Sequence, residues 1–175
     1  EGGLLVVVGD VSRRGLKAAM LVSVVVGILR ATPPTSASAV LRALNAGLVG
    51  RTGGGFVTAA SVLLAPDGSA TIANAGHCPV YRDAVEVVME PSLPLGVIAD
   101  ADFAEVTSPP GRFVLVSDGV LEAENAAREL FGFDRTREIS TQPAAAIAEA
   151  ARAWGQNDDI TVVTLRRPGD LSRDR

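Results

Sequence analysis

Between Phe56 and Ser117 the chain is a run of short apolar segments broken by turn residues, and helical spacing occurs only before and after that run. Strands that follow one another without helices pair as antiparallel ribbons, whereas a doubly wound parallel sheet needs a long crossover after each strand. The turns have a mechanism. Pro66-Asp67-Gly68-Ser69 presets φ with proline and accepts φ > 0 at glycine, joining a strand over 56–65 to one over 70–75. Asp83 separates shorter strands over 79–82 and 84–89, and Pro109-Pro110-Gly111 is expected to join strands over 103–107 and 113–117 as a pair.

The flanks supply the other elements. Leu4–Val8 reads as a buried strand, and a helical pattern from Leu16 to Ala31 ends at Thr32-Pro33-Pro34, since proline cannot continue a helix. Ser36 caps a second helix over 36–49, carried by Val40, Leu41, Leu44 and Leu48. Helical patterns return over 121–131 and 144–154, a last strand covers 160–166, and 168–175 is a polar tail beyond a domain spanning 1–167. The order of strand, two helices, strands, two helices, strand predicts an α+β fold. Glu1-Gly2-Gly3 reads as a hairpin turn with a strand before it, so the domain reads as N-terminally truncated.

Charge and composition exclude several classes. The net charge of −4 lacks the basic stripe of a nucleic-acid binder. Cys78 is the single cysteine and His77 the single histidine, which leaves no disulfide framework and no cysteine-based zinc site; a reducing cytoplasm is the simplest compartment. The most apolar stretch, Ala18–Leu29, falls short of the roughly 20 residues that span a bilayer, and so reads as a buried core helix.

Acidic residues mark the ends of strands. Asp10 follows Leu4–Val8, Asp118 follows Phe113-Val114-Leu115-Val116-Ser117, and Asp158-Asp159 precede Ile160-Thr161-Val162-Val163. Turn and cap chemistry explains any one of them. Three in one domain carry more weight, because on neighbouring strands they would converge, and converging carboxylates repel unless a cation lies between them. With oxygen donors only, that cation is Mg²⁺ or Mn²⁺ rather than zinc.

Local motifs sharpen the reading. Gly9-Asp10-Val11-Ser12-x-x-Gly15, Gly55-Phe56-Val57-Thr58, Asn74-Ala75-Gly76-His77-Cys78-Pro79, Pro94-Leu95-Gly96, Ser117-Asp118-Gly119-Val120-Leu121-Glu122-Ala123 and Asn157-Asp158-Asp159-Ile160-Thr161-Val162-Val163 occur in this order. Together they resemble the SpoIIE/RsbU-type metal-dependent serine/threonine phosphatases of the PPM (protein phosphatase 2C-like) superfamily.

The resemblance implies a four-layer α-β-β-α sandwich with two mostly antiparallel sheets flanked by helices, lacking the family's upstream metal-ligand strand. It implies Mn²⁺ or Mg²⁺, two ions per site, held by Asp10, the Val11 carbonyl, Asp118 and Asp158; Asp158 is taken over Asp159 because the family's ligand is the first acid of the pair. It implies hydrolysis of a phosphoserine or phosphothreonine protein by an activated water, with a phosphorylated anti-anti-sigma (STAS-type) protein as substrate in bacterial partner switching. An N-terminal sensor or dimerisation module and a homodimer are the other expected partners. Arg13-Arg14 replace the family's usual Gly-Lys or Gly-His, and Arg14 is a candidate for gripping the substrate phosphate. The alternative reading is a catalytically dead module that binds a STAS or sensor partner. Cys78 lacks a Cys-x5-Arg loop, which argues against a cysteine phosphatase.

Overall fold

Apolar runs and turn chemistry give eight strands and five helices in a computed structural model that describes residues 3–12, 15–33 and 35–167. Arg13, Arg14, Pro34 and the tail from Pro168 lie outside the described residues, as do Glu1 and Gly2 of the expected opening turn. The chain divides into two compact units: one takes the residues up to Ala65 with Ser69–His77 and Met89–Ser108, the other takes Pro66–Gly68, Cys78–Val88 and the chain from Pro109.

The first unit holds a sheet in the order β1-β2-β3-β6, formed by Leu4–Val11, Val57–Leu64, Ala70–Ala75 and Glu105–Ser108, with every neighbour antiparallel. Helix α2, Ala37–Leu48, packs on it through Val40, Leu41, Leu44 and Leu48. Ser36 caps that helix as expected: its hydroxyl accepts from the Ala39 N–H at 3.1 Å. Asn45, on the same helix, is buried and fully used. Its side-chain amide donates to the Ile98 and Ala99 carbonyls at 2.8 and 3.1 Å, and its oxygen accepts from Gly96 N–H at 2.8 Å. That fixes the Pro94-Leu95-Gly96 turn, whose Leu95 exchanges two backbone hydrogen bonds with Val57 at 2.8 and 3.1 Å.

Helix α1, Leu16–Ala31, has the predicted ends but not the predicted burial. Leu21 alone is buried, while Leu16 and Met20 are 78% and 62% exposed. Its apolar residues surround the helix instead of forming one stripe, so packing on one side leaves the rest in solvent.

The second unit holds a sheet in the order β5-β4-β7-β8, formed by Val85–Glu86, Tyr81–Arg82, Phe113–Val116 and Val162–Leu165, again antiparallel. Helices α3 (Asp118–Leu121), α4 (Gly132–Ile139) and α5 (Ala144–Gly155) complete it. Val114, Val116, Phe131, Ile147 and Ala151 are in its core.

Two expectations fail here for physical reasons. Residues 103–107 and 113–117 do not pair: β6 joins β3, and β7 joins β4 and β8. Proline lacks the N–H that a ladder leaving the turn would use. Arg112 N–H instead donates to the Asp83 carboxylate at 3.0 Å, and Asp83 N–H donates to the Arg112 carbonyl at 3.1 Å, which draws β7 beside the β4–β5 turn. The helix expected over 121–131 stops at Leu121. The Asn125 side-chain oxygen accepts from Ala127 N–H and Glu129 N–H, each at 2.9 Å, and offers the backbone an alternative to helical bonds.

Among the described residues no helix is long and apolar enough to cross a membrane. The α+β class with two antiparallel sheets is as the sequence predicts.

Candidate metal centre

Asp118 and Asp158 come from neighbouring strands. β7 leads into Asp118, the first residue of α3, and β8 is preceded by Asp158-Asp159. Ser117 ties the two ends together. Its N–H donates to the Thr161 carbonyl at 2.9 Å, its hydroxyl donates to the Asp159 carbonyl at 3.1 Å, and Thr161 N–H donates back to that hydroxyl at 2.9 Å. Gly119 closes the contact, since a Cβ there would lie 2.2 Å from the Asp159 carbonyl oxygen. No residue but glycine lets the Asp118 turn rest this closely on the 158–159 backbone.

Local bonds also orient both carboxylates. One Asp118 oxygen accepts from Gly119 N–H at 2.9 Å, and one Asp158 oxygen accepts from Asp159 N–H at 2.8 Å. Asp118 is half-buried and Asp158 exposed.

Asp10 stands in the other unit. It lies inside β1 rather than beyond it, because that strand continues to Val11, and its register partner is Thr58. Gly9 beside it has no room for a side chain, a Cβ falling 2.4 Å from the Thr58 carbonyl oxygen. After Val11, Ser12 N–H donates to the Phe56 carbonyl at 3.1 Å and the Ser12 hydroxyl accepts from Phe56 N–H at 2.8 Å. Thr58 in turn holds the His77 ring, Oγ1 to Nδ1 at 2.9 Å, while Asn74 takes the His77 N–H at 2.7 Å and donates to its carbonyl at 3.1 Å. His77 is thus tied into the β2–β3 end of the sheet.

The three acids therefore do not sit on three neighbouring strands: β7 and β8 are adjacent, and β1 belongs to the other sheet. Among the described residues no group of three or more His, Cys, Asp or Glu side chains forms a ready-made ion site. The donor chemistry nevertheless fits a hard divalent ion, with carboxylate oxygens on two loops pinned together and no thiolate among the candidates. Burial, with a smaller push from Glu86, holds the Tyr81 hydroxyl well above its ordinary pKa, so it is a neutral core group and no base. Sequence reasoning quoted Ser117 and Gly119 only as parts of a motif and missed their work in joining the two acidic loops. A serine and a glycine flanking a strand-end aspartate are the signal.

Residues 1–168 match the family model described as Stage II sporulation protein E (SpoIIE). The chain belongs to the SpoIIE family. With that goes the enzyme class read from the motifs, a metal-dependent serine/threonine protein phosphatase. Among solved structures it is similar to the SiaA PP2C domain of Pseudomonas aeruginosa, with a TM-score of 0.74 and 22% identity over 94% of this chain and 76% of that one. It is also similar to the RsbU and RsbW domains of Rv1364c from Mycobacterium tuberculosis, with a TM-score of 0.67 and 23% identity over 93% of this chain and 51% of that one. A third similar structure is the catalytic domain of the serine/threonine phosphatase PstP in complex with two manganese ions, with a TM-score of 0.65 and 17% identity over 94% of this chain and 87% of that one. At these identities the likeness shows a shared fold. No curated protein sequence matches the chain.

Proposed function

We propose that this SpoIIE-family domain removes phosphate from phosphoserine or phosphothreonine on a STAS-type anti-anti-sigma protein, in the cytoplasm of a bacterium that uses partner switching. Asp10, the Val11 carbonyl, Asp118 and Asp158 would hold the Mn²⁺ or Mg²⁺ ions, two per site. Bound there, the ions supply an acidified water and neutralise the phosphoryl oxygens. The chain's own part is placement. Ser117 and Gly119 hold the Asp118 and Asp158 loops at a fixed spacing, and each acid keeps one oxygen on a neighbouring N–H. Asp10 is presented by a strand whose register Gly9 and Thr58 hold. Arg14, outside the described residues, is the candidate for gripping the phosphate.

The junction at Ser117 is the observation that supports this reading, because it ties the backbone beside Asp118 to the segment that carries Asp158-Asp159. The manganese in PstP and the RsbU and RsbW domains of Rv1364c support the metal and the signalling context. An N-terminal sensor or dimerisation module, with a homodimer, completes the proposal. The test is phosphate release from a phosphoserine STAS protein by the intact protein with Mn²⁺, compared with Asp118→Asn. Metal-dependent release that the substitution abolishes is expected; no release from the intact protein favours the catalytically dead binding module.

A further inference from the structure

A cavity of about 220 Å³ lies in the first unit between α1 and the sheet. Its floor is the face of β1 and β2 that carries Val7, Gly9, Val57 and Ala59, and its roof is α1, where Val22 and Val26 stand at 48% and 38% exposure and mark the way in. Every described residue lining it is Gly, Ala, Val or Leu. The floor's backbone is already paired in the β1–β2 ladder, Val7 opposite Ser61 and Gly9 opposite Ala59.

These facts fix what can enter. A trapped water needs two to four polar partners, and here the side chains are aliphatic, so only main-chain atoms could meet it. A charged or strongly polar molecule would lose its hydration without compensation. An enclosed apolar cavity of roughly 150 Å³ accepts benzene, and this one, which is open at its mouth, has the volume for a guest of that size or slightly larger. The chain does not fill the space by itself. The roof residues at the mouth are short valines, the floor has Ala59, and no side chain can be added at Gly9 because its Cβ would meet the Thr58 carbonyl oxygen at 2.4 Å. By contrast, α2 fills its side of the unit with Leu41 and Leu48, both at 0% exposure.

We propose that this cavity is a binding site for a small uncharged hydrocarbon-like molecule, a single-ring arene or a short alkyl chain. Alternation along β1 puts Gly9 and Val11 on the cavity face and Asp10 on the other, so an occupant rests against the back of the strand that carries Asp10. The binding claim itself does not depend on the phosphatase reading and is tested without an activity assay.

The experiment titrates the intact protein with toluene and, separately, with benzoate, followed by amide NMR. Saturable toluene shifts centred on Gly9, Val26 and Ala59, with no such shifts from benzoate, are the expected result. Near saturation the melting temperature should rise by about 2–4 °C. Ala59→Leu and Val25→Phe, which fill the cavity from opposite walls, should each weaken toluene at least about tenfold, while Val88→Ser in the other unit leaves it unchanged. No saturable shift in the unaltered protein overturns the proposal, as do equal shifts from benzoate or shifts centred elsewhere. Because those readouts use the unaltered protein, they decide the matter even if a filled variant fails to fold.

Discussion

The two acidic regions are built on different principles. Asp118 opens α3 and Asp158 precedes β8, and one residue, Ser117, holds the two segments together with three hydrogen bonds between 2.9 and 3.1 Å, two through its hydroxyl and one through its N–H. Asp10 sits inside a strand and takes its place from the ladder, opposite Thr58. Both regions also use a glycine for a contact that no side chain allows, 2.2 Å at Gly119 and 2.4 Å at Gly9. A carboxylate can thus be placed by a local knot or by the register of a whole strand, and the two should fail differently.

Removing the acids themselves is the harshest comparison. Asp118→Asn and Asp158→Asn should each lower Mn²⁺-dependent phosphatase activity by at least about 100-fold, while Asp159→Asn changes it by less than about threefold, as read in phosphate-release assays across Mn²⁺ concentrations. A large loss at Asp159 instead would reverse the assignment within the pair. Next come the glycines. Gly119→Ala should force the two loops apart and raise the Mn²⁺ concentration for half-maximal activity by about tenfold or more, with little change in the β1 amide shifts. Gly9→Ala must shift a ladder, so its NMR changes should spread along β1 and β2, with a stability loss of about 1–3 kcal/mol in denaturant titrations. If both substitutions perturb only their immediate neighbours, the distinction between knot and ladder is wrong.

Ser117→Ala is milder. It leaves Thr161 N–H without its acceptor, at a cost of about 1–3 kcal/mol. Melting temperature should fall, and Mn²⁺ affinity should fall with it; Ser117→Thr should restore part of both by returning the hydroxyl. Loss of stability at unchanged metal affinity would make Ser117 a structural tie alone.

Much of this was legible in the sequence where the pattern was unambiguous. The ends of α1 follow from Gly15 and Thr32-Pro33-Pro34, and the ends of β3 from Gly68-Ser69 and Gly76. The Ser36 cap and the leucines of α2 follow from helical spacing. Burial of α1 was misjudged because mean hydropathy says how apolar a helix is and not which side it covers. The strand partner of Phe113–Val116 was misjudged because Pro109-Pro110-Gly111 looks like a hairpin turn, and the carboxylate that redirects β7 belongs to Asp83, 29 residues upstream of Arg112. The candidate acids were visible as strand-end carboxylates. The Ser117 knot was not, since its partners Asp159 and Thr161 lie 42 and 44 residues away in sequence.

The smallest expected effect lies away from both acidic regions and serves as their control. Partial burial pushes the Glu105 carboxyl pKa up, but hydrogen bonds from the Ser38 N–H and the Ser38 and Ser36 hydroxyls, with the Arg42 charge, outweigh it and leave the pKa below its ordinary 4.5. A depressed acid stabilises the fold above its unfolded-state pKa and loses that contribution as pH falls through the folded-state value. Glu105→Gln should therefore lower the melting temperature slightly at pH 7 and differ less from the parent protein below pH 4, with Mn²⁺ affinity unchanged at neutral pH.

Direct Mn²⁺ binding to the intact protein, followed by electron paramagnetic resonance, bears on the metal centre without requiring a substrate. Binding that is lost or severely weakened in Asp10→Asn, Asp118→Asn and Asp158→Asn, and kept in Asp159→Asn, is the predicted result. Undiminished binding in all three would contradict it.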